Sequence, residues 1–155
     1  MKSISEFPHF ANGIIMKIKD VMTRDIINLN LEDSIEKAAQ MMKEYDVGSI
    51  PICDGNKVIG IITDRDITLR SVAEGKINDS VRNVMSSNPV FVSPDTDVHD
   101  ALRIMSERQI RRLPVIENGN IEGMVSIGDL AVEPKFKDNA GKALSNISEP
   151  CTPNI

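Results

Sequence analysis

Two short segments of the chain place a hydroxyl residue three positions before an aspartate, directly after an apolar run that begins with glycine. They are residues 60–66, with Thr63 and Asp66, and residues 123–129, with Ser126 and Asp129. Such a pair can cap a helix, because the hydroxyl and the carboxylate satisfy backbone N–H groups of the first turn. The same arrangement can also hold a phosphorylated nucleoside, so two interpretations compete.

The nucleotide interpretation gives each part of the segment a role. A helix N-terminus offers free N–H groups and the positive end of the helix dipole to a phosphate, and the hydroxyl of Thr63 or Ser126 adds a donor. Asp66 or Asp129 can accept hydrogen bonds from the two vicinal hydroxyls of a ribose. Capping would be the simpler explanation of a single copy, but the recurrence of the segment favours nucleotide binding.

The two segments belong to a repeat that covers most of the chain. Residues 21–66 match residues 84–129 at a constant offset of 63 positions, without a gap. The identical pairs include Val21/Val84, Met22/Met85, Ala38/Ala101, Met42/Met105, Glu44/Glu107, Pro51/Pro114, Gly60/Gly123 and Asp66/Asp129. A period of this length exceeds that of solenoid repeats, so we expect two similar half-domains that pack face to face and share one core.

The pattern within each unit predicts β-α-β-β-α. Short β-type runs at 26–29 and 90–92 each precede a helix with one apolar stripe. Two further β-runs are joined by the turns 54–56 and 118–119, where Gly and Asn tolerate positive φ. A second helix begins at Asp64 and ends near Gly75, and its counterpart begins at Ile127.

This organisation predicts five parts of the chain. They are an N-terminal extension (1–17), a first repeat (18–74), a linker (75–80), a second repeat (81–132) and a C-terminal tail (133–155). The tail has weak periodicity, and we expect it either to fray or to dock on a neighbour.

Composition excludes several classes of protein. The 155 residues, 41% hydrophobic and 26% charged, suit one compact globular domain. A net charge of −5 disfavours a nucleic-acid-binding protein, which would concentrate Lys and Arg. No apolar run approaches the roughly 20 residues of a membrane helix, and the N-terminus has no signal-peptide pattern. We therefore expect a cytoplasmic protein without a membrane partner.

Catalytic and metal sites find little support. The chain has no Ser/His/Asp set in a recognisable context and no Walker-type loop, and His99 is expected on the exposed face of a helix start. Cys53, Cys151, His9 and His99 are not spaced as metal ligands, and a disulfide between the two cysteines is disfavoured in a reducing compartment. We expect no enzyme, no metal and no required cofactor.

At these residues the chain resembles the cystathionine β-synthase (CBS) domain pair, a regulatory module of two β-α-β-β-α units. The resemblance runs from about Ile18 to Leu130 and rests on the segments DVMTRDI, VGSIPICDG, GIITDRDI, NVMSSNPVFVSPDTDV, IRRLPVIENG and GMVSIGDL. It implies an α+β fold in which tandem CBS repeats pack face to face with pseudo-two-fold symmetry.

The resemblance also implies that adenosine compounds bind in clefts between the two repeats. Thr63 and Ser126 are expected near phosphate or ribose, and Asp66 and Asp129 on ribose hydroxyls. Adenine is expected against the apolar strands. The residues expected there are Ile26, Ile27, Val47, Ser49, Pro51, Pro89, Val90, Ile110 and Pro114. Which wall of each cleft serves which aspartate stays open.

Arginines near the two segments suit a phosphate, because a guanidinium can bond two oxygens at once. Arg65 lies within the first segment, and Arg108, Arg111 and Arg112 precede Pro114, the second of the two matched prolines of the repeat. A solvated face or an ion pair between subunits is the alternative explanation. The segments also differ internally, with Asp64-Arg65 in one and Ile127-Gly128 in the other, so we expect the two clefts to be unequal.

These features predict a non-enzymatic sensor that binds AMP, ADP or ATP, with S-adenosylmethionine or NAD(H) as less favoured ligands. We expect no attached effector domain, so the output is expected to pass to an unidentified protein partner in trans. A ligand-free scaffold or stress-response interaction protein is the first alternative, and a nucleic-acid-binding CBS protein is the second. A homodimer is also expected, through two apolar helices. Their residues are Ile67, Leu69, Val72 and Ala73, and Val98, Leu102 and Met105.

Overall fold

The computed structural model describes residues 16–150 as a mixture of helices and one sheet, which confirms the predicted α+β class. The strands β1 to β6 are Leu29–Asn30, Ser49–Asp54, Lys57–Thr63, Ser86–Ser87, Arg112–Glu117 and Asn120–Ser126. The helices α1 to α5 are Ile35–Tyr45, Asp64–Asp66, Val98–Arg108, Ile127–Ala131 and Lys137–Ile147. Helix α2 continues as a π-helix at Ile67–Val72, and 3-10 turns lie at Ile18–Asp20 and Val81–Asn83.

The sheet repeats one topology in both halves of the chain. Its order is β1-β2-β3-β6-β5, with β4 on β3, and the halves join where Lys57 pairs with Asn120. Strand β1 runs parallel to β2, and a single parallel bridge from Val92 to Val115 takes the same place in the second half. The first β-run of each unit is therefore shorter than the sequence predicts, because the residues before it leave the sheet.

Both predicted hairpins are present. Gly55 has a φ of 62°, and Asn118 and Gly119 have φ values of 52° and 81°. These residues connect β2 to β3 and β5 to β6. The positive φ angles are ones that Gly and Asn adopt most easily, which explains the residue types at both turns.

The apolar side chains form two clusters, one for each half. The first contains Leu29, Ile35, Ala38, Met42, Ile50, Ile52, Ile62, Val81 and Val84. The second contains Ile18, Val92, Val98, Ala101, Leu102, Met105, Leu113, Val115, Val125, Ile127, Leu130, Phe136, Ala140 and Ala143. Each cluster includes side chains from the segment that opens the other repeat in sequence, so the two halves exchange these segments.

Backbone hydrogen bonds secure the exchange at equivalent places. The N–H of Ile18 donates to the carbonyl of Thr96 (2.9 Å), and the N–H of Val81 donates to the carbonyl of Asp33 (2.9 Å). Further along, Thr23 and Met124 exchange two backbone bonds of 2.8 and 3.0 Å. Strand β4 takes the corresponding place on β3. The chain therefore crosses between the two halves.

The C-terminal tail folds as part of the second half. Helix α5 packs on α3 and α4, and it buries Ala140 and Ala143. The side chain of Asn146 donates to the hydroxyl of Ser106 (2.8 Å), which ties α5 to α3. Of the two expectations for the tail, fraying is wrong for residues 137–147, which dock on α3 and α4 of the same chain through the buried Ala140 and Ala143.

This packing corrects two expectations about the helices. Val98, Leu102 and Met105 are 0%, 3% and 0% exposed, so they form intrachain core and not an oligomer interface. His99 is half-buried, with its ring in edge contact with Phe136 at a centroid distance of 5.2 Å, and does not lie on an exposed face. Phe136, the residue before α5, covers the ring of His99. The sequence pattern did not predict α5, so this contact was not expected.

Candidate functional site

A cavity of about 320 Å³ lies between the two halves of the molecule. We call it the Asp129 cleft. Its lining residues are Thr23, Asp25, Ile26, Ile27, Asp46, Val47, Ser49, Pro51, Arg112, Met124, Val125, Ser126 and Asp129. The cleft contains many of the residues that the sequence singled out, and they come from both repeats.

The crossing segment explains why this cleft exists. Thr23 is paired with Met124 on β6 of the second half, while Leu29 is paired with Ile52 on β2 of the first. The intervening residues must therefore span the gap between the halves, and Ile26 and Ile27 line the cleft from this bridge. Their side chains are half-buried, which leaves apolar surface at the cavity wall.

Asp129 lies in one cavity with residues of both repeats. Ser126 and Asp129 of the second repeat face the Val47, Ser49 and Pro51 edge of the first. Arg112 lies on the same side of the cleft as Ser126, because the two residues are paired on the neighbouring strands β5 and β6. Asp129 therefore shares a cavity with residues of the other repeat.

The helix-capping interpretation is correct in both segments. The N–H of Asp129 donates to the Ser126 hydroxyl (3.1 Å), and Oδ2 of Asp129 accepts from the N–H of Ser126 (2.9 Å). Thr63 and Asp66 make the same two bonds, at 3.1 and 3.0 Å. Capping uses one carboxylate oxygen, so it does not exclude a second role for the other.

Most N–H groups at these helix starts are already engaged. Ile127 donates to the carbonyl of Arg111 (2.8 Å), and Asp64 donates to the carbonyl of Gly48 (3.0 Å). Arg65 donates to Oδ1 of Asp64 (2.8 Å). Free backbone donors for a phosphate are therefore scarce at both helix starts, which weakens the physical argument for a phosphate there.

The two aspartates differ in what surrounds their second oxygen. Oδ1 of Asp66 lies 3.9 Å from Nε of Arg70, whose guanidinium also donates to the carbonyl of Val84 (3.1 Å). The residue equivalent to Arg70 in the second repeat is Glu133. Among residues 16–150 no hydrogen bond or ion pair engages Oδ1 of Asp129. Asp129 therefore keeps an acceptor available, whereas Asp66 shares its own with a cation.

The remaining residues singled out from the sequence lie elsewhere. Arg65 lines an open depression with Asp64, Thr68 and Leu69, and Pro89 lines a separate cavity with Asn88 and Phe91. Val90 and Ile110 pack partly buried against the second core, and Pro114 is buried in β5. Arg111 is exposed. Neither Arg108 nor Arg111 lines the Asp129 cleft, so Arg112 is the member of that cluster that does.

Sequence reasoning missed two charged residues of the cleft, Asp25 and Asp46. Asp46 is the C-cap of α1, with a left-handed φ of 52°, and stands directly before Val47. Asp25 stands directly before Ile26. Their position next to expected contact residues was the available signal.

The cysteines and histidines form no metal site within the described part of the chain. No group of three or more His, Cys, Asp or Glu residues there could hold a metal ion. Cys53 is a buried free thiol on β2, and burial raises its pKa. His9 and Cys151 lie outside the described residues, as does any pairing that involves them. No helix among the described residues is long and apolar enough to cross a membrane.

Comparisons with known proteins agree with this architecture. The CBS domain family model matches residues 18–72 and 81–134. The CBS domain-containing protein YhcV of Bacillus subtilis is 40% identical over 132 residues, which cover 84% of this chain and 94% of the relative. Hypoxic response protein 1 of Mycobacterium tuberculosis is 31% identical over 116 residues, which cover 73% of this chain and 81% of the relative.

One similar solved structure contains bound ligands. The CBS domain pair of protein MJ0100, in complex with 5′-methylthioadenosine and S-adenosyl-L-methionine, superposes with a TM-score of 0.72 at 26% identity, covering 83% of this chain and 99% of that one. The repeat, the exchanged topology and the two family matches lead to one conclusion: this chain belongs to the CBS domain family and carries a tandem pair of CBS repeats.

Proposed function

We propose that the protein is a non-enzymatic regulatory module that binds an adenosine-containing ligand in the Asp129 cleft. The observation that carries the proposal is the composition of that cleft. A carboxylate with one unengaged oxygen faces an apolar edge across a cavity of about 320 Å³. This volume is at the small end of ligand sites and suits a nucleoside.

The walls of the cleft supply both kinds of contact that a nucleoside needs. Oδ1 of Asp129 can accept from the ribose hydroxyls while Oδ2 remains in the helix cap. Ile26, Ile27, Val47 and Pro51 offer apolar surface to the base. The ligands of MJ0100, both adenosine compounds, support this class of ligand for the present chain.

The position of the cleft suggests how binding would be transmitted. A ligand there contacts both halves and the crossing segment that connects them. It therefore stabilises one relative placement of the two halves, and a partner protein in trans distinguishes that placement from others. The sequence-based preference for AMP, ADP or ATP is untested and does not follow from the residues that line this cleft.

Adenosine compounds should raise the thermal stability of the protein. A ligand present at about 100 times its dissociation constant stabilises the native state by roughly 2.7 kcal/mol, because it binds the folded chain and not the unfolded one. Differential scanning fluorimetry with adenosine, AMP, ATP, S-adenosylmethionine and NAD(H) measures this effect. If none of these shifts the melting temperature at millimolar concentration, the ligand-free scaffold is the better interpretation.

We also propose that the protein forms a homodimer through the helical face of its first half. Leu69 and Val72 are 49% and 58% exposed, and no described helix covers them in the way that α5 covers the second half. Light scattering should give a mass of about twice 17.1 kDa at micromolar concentration. The variant Leu69→Asp/Val72→Asp should shift the mass to that of one chain.

Phe91→Asp serves as the control for this variant, because Phe91 is 54% exposed and lies outside the helices. A monomeric mass for the unmodified protein would contradict the proposed dimer. An unchanged dimer in Leu69→Asp/Val72→Asp would place the interface on another surface.

A further inference from the structure

The two repeats carry different charges at equivalent positions of the backbone. Asp46 and Gln109 are the C-caps of α1 and α3, with nearly identical left-handed φ angles of 52° and 53°, so the backbone places them equivalently. At the same offset of 63 positions, Asp25 corresponds to Asn88. Two carboxylates of the Asp129 cleft are therefore neutral amides in the other repeat.

Negative charge is in excess in the Asp129 cleft. Asp25, Asp46 and Asp129 line it, with Arg112 as the opposing cation. Within the part of the chain that the structure describes, none of these four side chains takes part in an ion pair. None of the three carboxylates is therefore held in a salt bridge by a cation of the described residues.

The charges around Asp66 are closer to balanced, because Asp64 and Asp66 are accompanied by Arg65 and Arg70. Arg70 lies beside Asp66, and Arg65 stands one residue before it. Gln109, the equivalent of Asp46, is a neutral amide whose side chain donates to the carbonyl of Asn146 (3.2 Å). The two repeats thus differ in charge through a few side chains, while their backbones are alike. Such a difference can change which ligand binds without changing the fold.

We infer that Asp25 and Asp46 make the Asp129 cleft selective for adenosine compounds with a neutral or cationic 5′ substituent, against those with a 5′-phosphate. This inference rests on the proposed function. A phosphate in the cleft would share the cavity with three carboxylates and one guanidinium, and an excess of like charge opposes its binding. An amine or a sulfonium at the same place would be attracted.

The test uses three ligands that share the base and the ribose and differ in charge at the 5′ position. They are 5′-amino-5′-deoxyadenosine, adenosine and AMP. Titration calorimetry at low ionic strength should show affinity falling in that order, with AMP about 3- to 10-fold weaker than adenosine, since exposed charges act through a partly screened field. Higher salt should reduce the differences in affinity among the three ligands. If the calorimetric binding signal is lost in Asp129→Ala, the ligands bind in the Asp129 cleft.

The decisive variant is Asp25→Asn/Asp46→Asn, which removes two charges with little change in shape. The ratio of the AMP and adenosine dissociation constants should then fall toward unity, by about 3- to 10-fold. Asn88→Asp adds a carboxylate at the equivalent position of the other repeat and should leave this ratio as it is. Asparagine also tolerates the left-handed backbone of residue 46.

The outcomes separate the two claims. If adenosine binds but AMP binds equally or more tightly, or if Asp25→Asn/Asp46→Asn does not change the ratio, the charge-based selectivity is overturned and the proposed function stands. If none of the three ligands binds, the proposed function fails and the selectivity with it.

Discussion

Replacing Asp129 with alanine should weaken adenosine binding by about 10- to 100-fold. The free oxygen of this carboxylate is the acceptor that the cleft offers to ribose hydroxyls, and a hydrogen bond to a charged group contributes about 1.5–3 kcal/mol. Asp129 also caps α4 through its other oxygen. Melting curves of the unliganded variant are therefore needed to separate a loss of affinity from a loss of fold.

Asp66→Ala is the matched control, because it removes the same cap from the equivalent helix. Oδ1 of Asp66 is 3.9 Å from the guanidinium of Arg70, so it is less available to a ligand. We expect a much smaller loss of adenosine affinity than in Asp129→Ala, with a similar loss of stability. Calorimetry on both variants decides this: equal losses of affinity, or no loss from either, would refute the inequality of the two clefts.

The repeated unit was predictable because its signals are local. The apolar stripe of α1 and the glycine and asparagine turns specify each element within a few residues, and the offset of 63 positions transfers every assignment from one half to the other. Thr63 and Ser126 were recognised as possible caps by the same local logic. Local patterns therefore determined the topology of each half and the position of both segments.

The assembly of the two halves was not predictable in this way. The bond from Ile18 to Thr96 joins residues that no short-range pattern relates, so the exchange of segments cannot be seen in the periodicity. The walls of the cleft follow from this exchange, and for that reason Asp25 and Asp46 were missed. Helix α5 was missed because Gly141 and neighbouring polar residues weaken its pattern, whereas its buried alanines act through contact with α3.

The glycines of β3 and β6 provide a direct test of the exchanged segments. A Cβ at Gly60 would lie 2.5 Å from the sulfur of Met85 and 2.9 Å from the carbonyl oxygen of Ser86. A Cβ at Gly123 would lie 2.8 Å from the sulfur of Met22 and 2.8 Å from the carbonyl oxygen of Thr23. In both strands the crossing backbone lies where a side chain would otherwise be.

Gly60→Ala and Gly123→Ala should each destabilise the protein by about 1–3 kcal/mol, the usual cost of forcing an extra methyl into a packed site. The sign of the change in unfolding free energy is informative, because alanine in a strand or helix interior normally stabilises a protein relative to glycine. Gly141→Ala in α5 is the control, since a Cβ there meets nothing within 4 Å. It should stabilise by about 0.5–1 kcal/mol. Urea unfolding measures all three, and stabilisation by Gly60→Ala or Gly123→Ala would contradict the close approach of the crossing segments.

The two destabilising variants should differ in ligand binding, although their packing defects are alike. Thr23 lies against Gly123 and begins the bridge that carries Ile26 and Ile27 into the Asp129 cleft, so Gly123→Ala should weaken adenosine binding as well as stability. Met85 and Ser86 do not line this cleft, so Gly60→Ala should reduce stability and leave binding to the folded protein close to that of the unmodified chain. Calorimetry below the unfolding transition separates the two effects. Equal affinities in both variants would mean that the crossing segment positions the two halves without shaping the cleft between them.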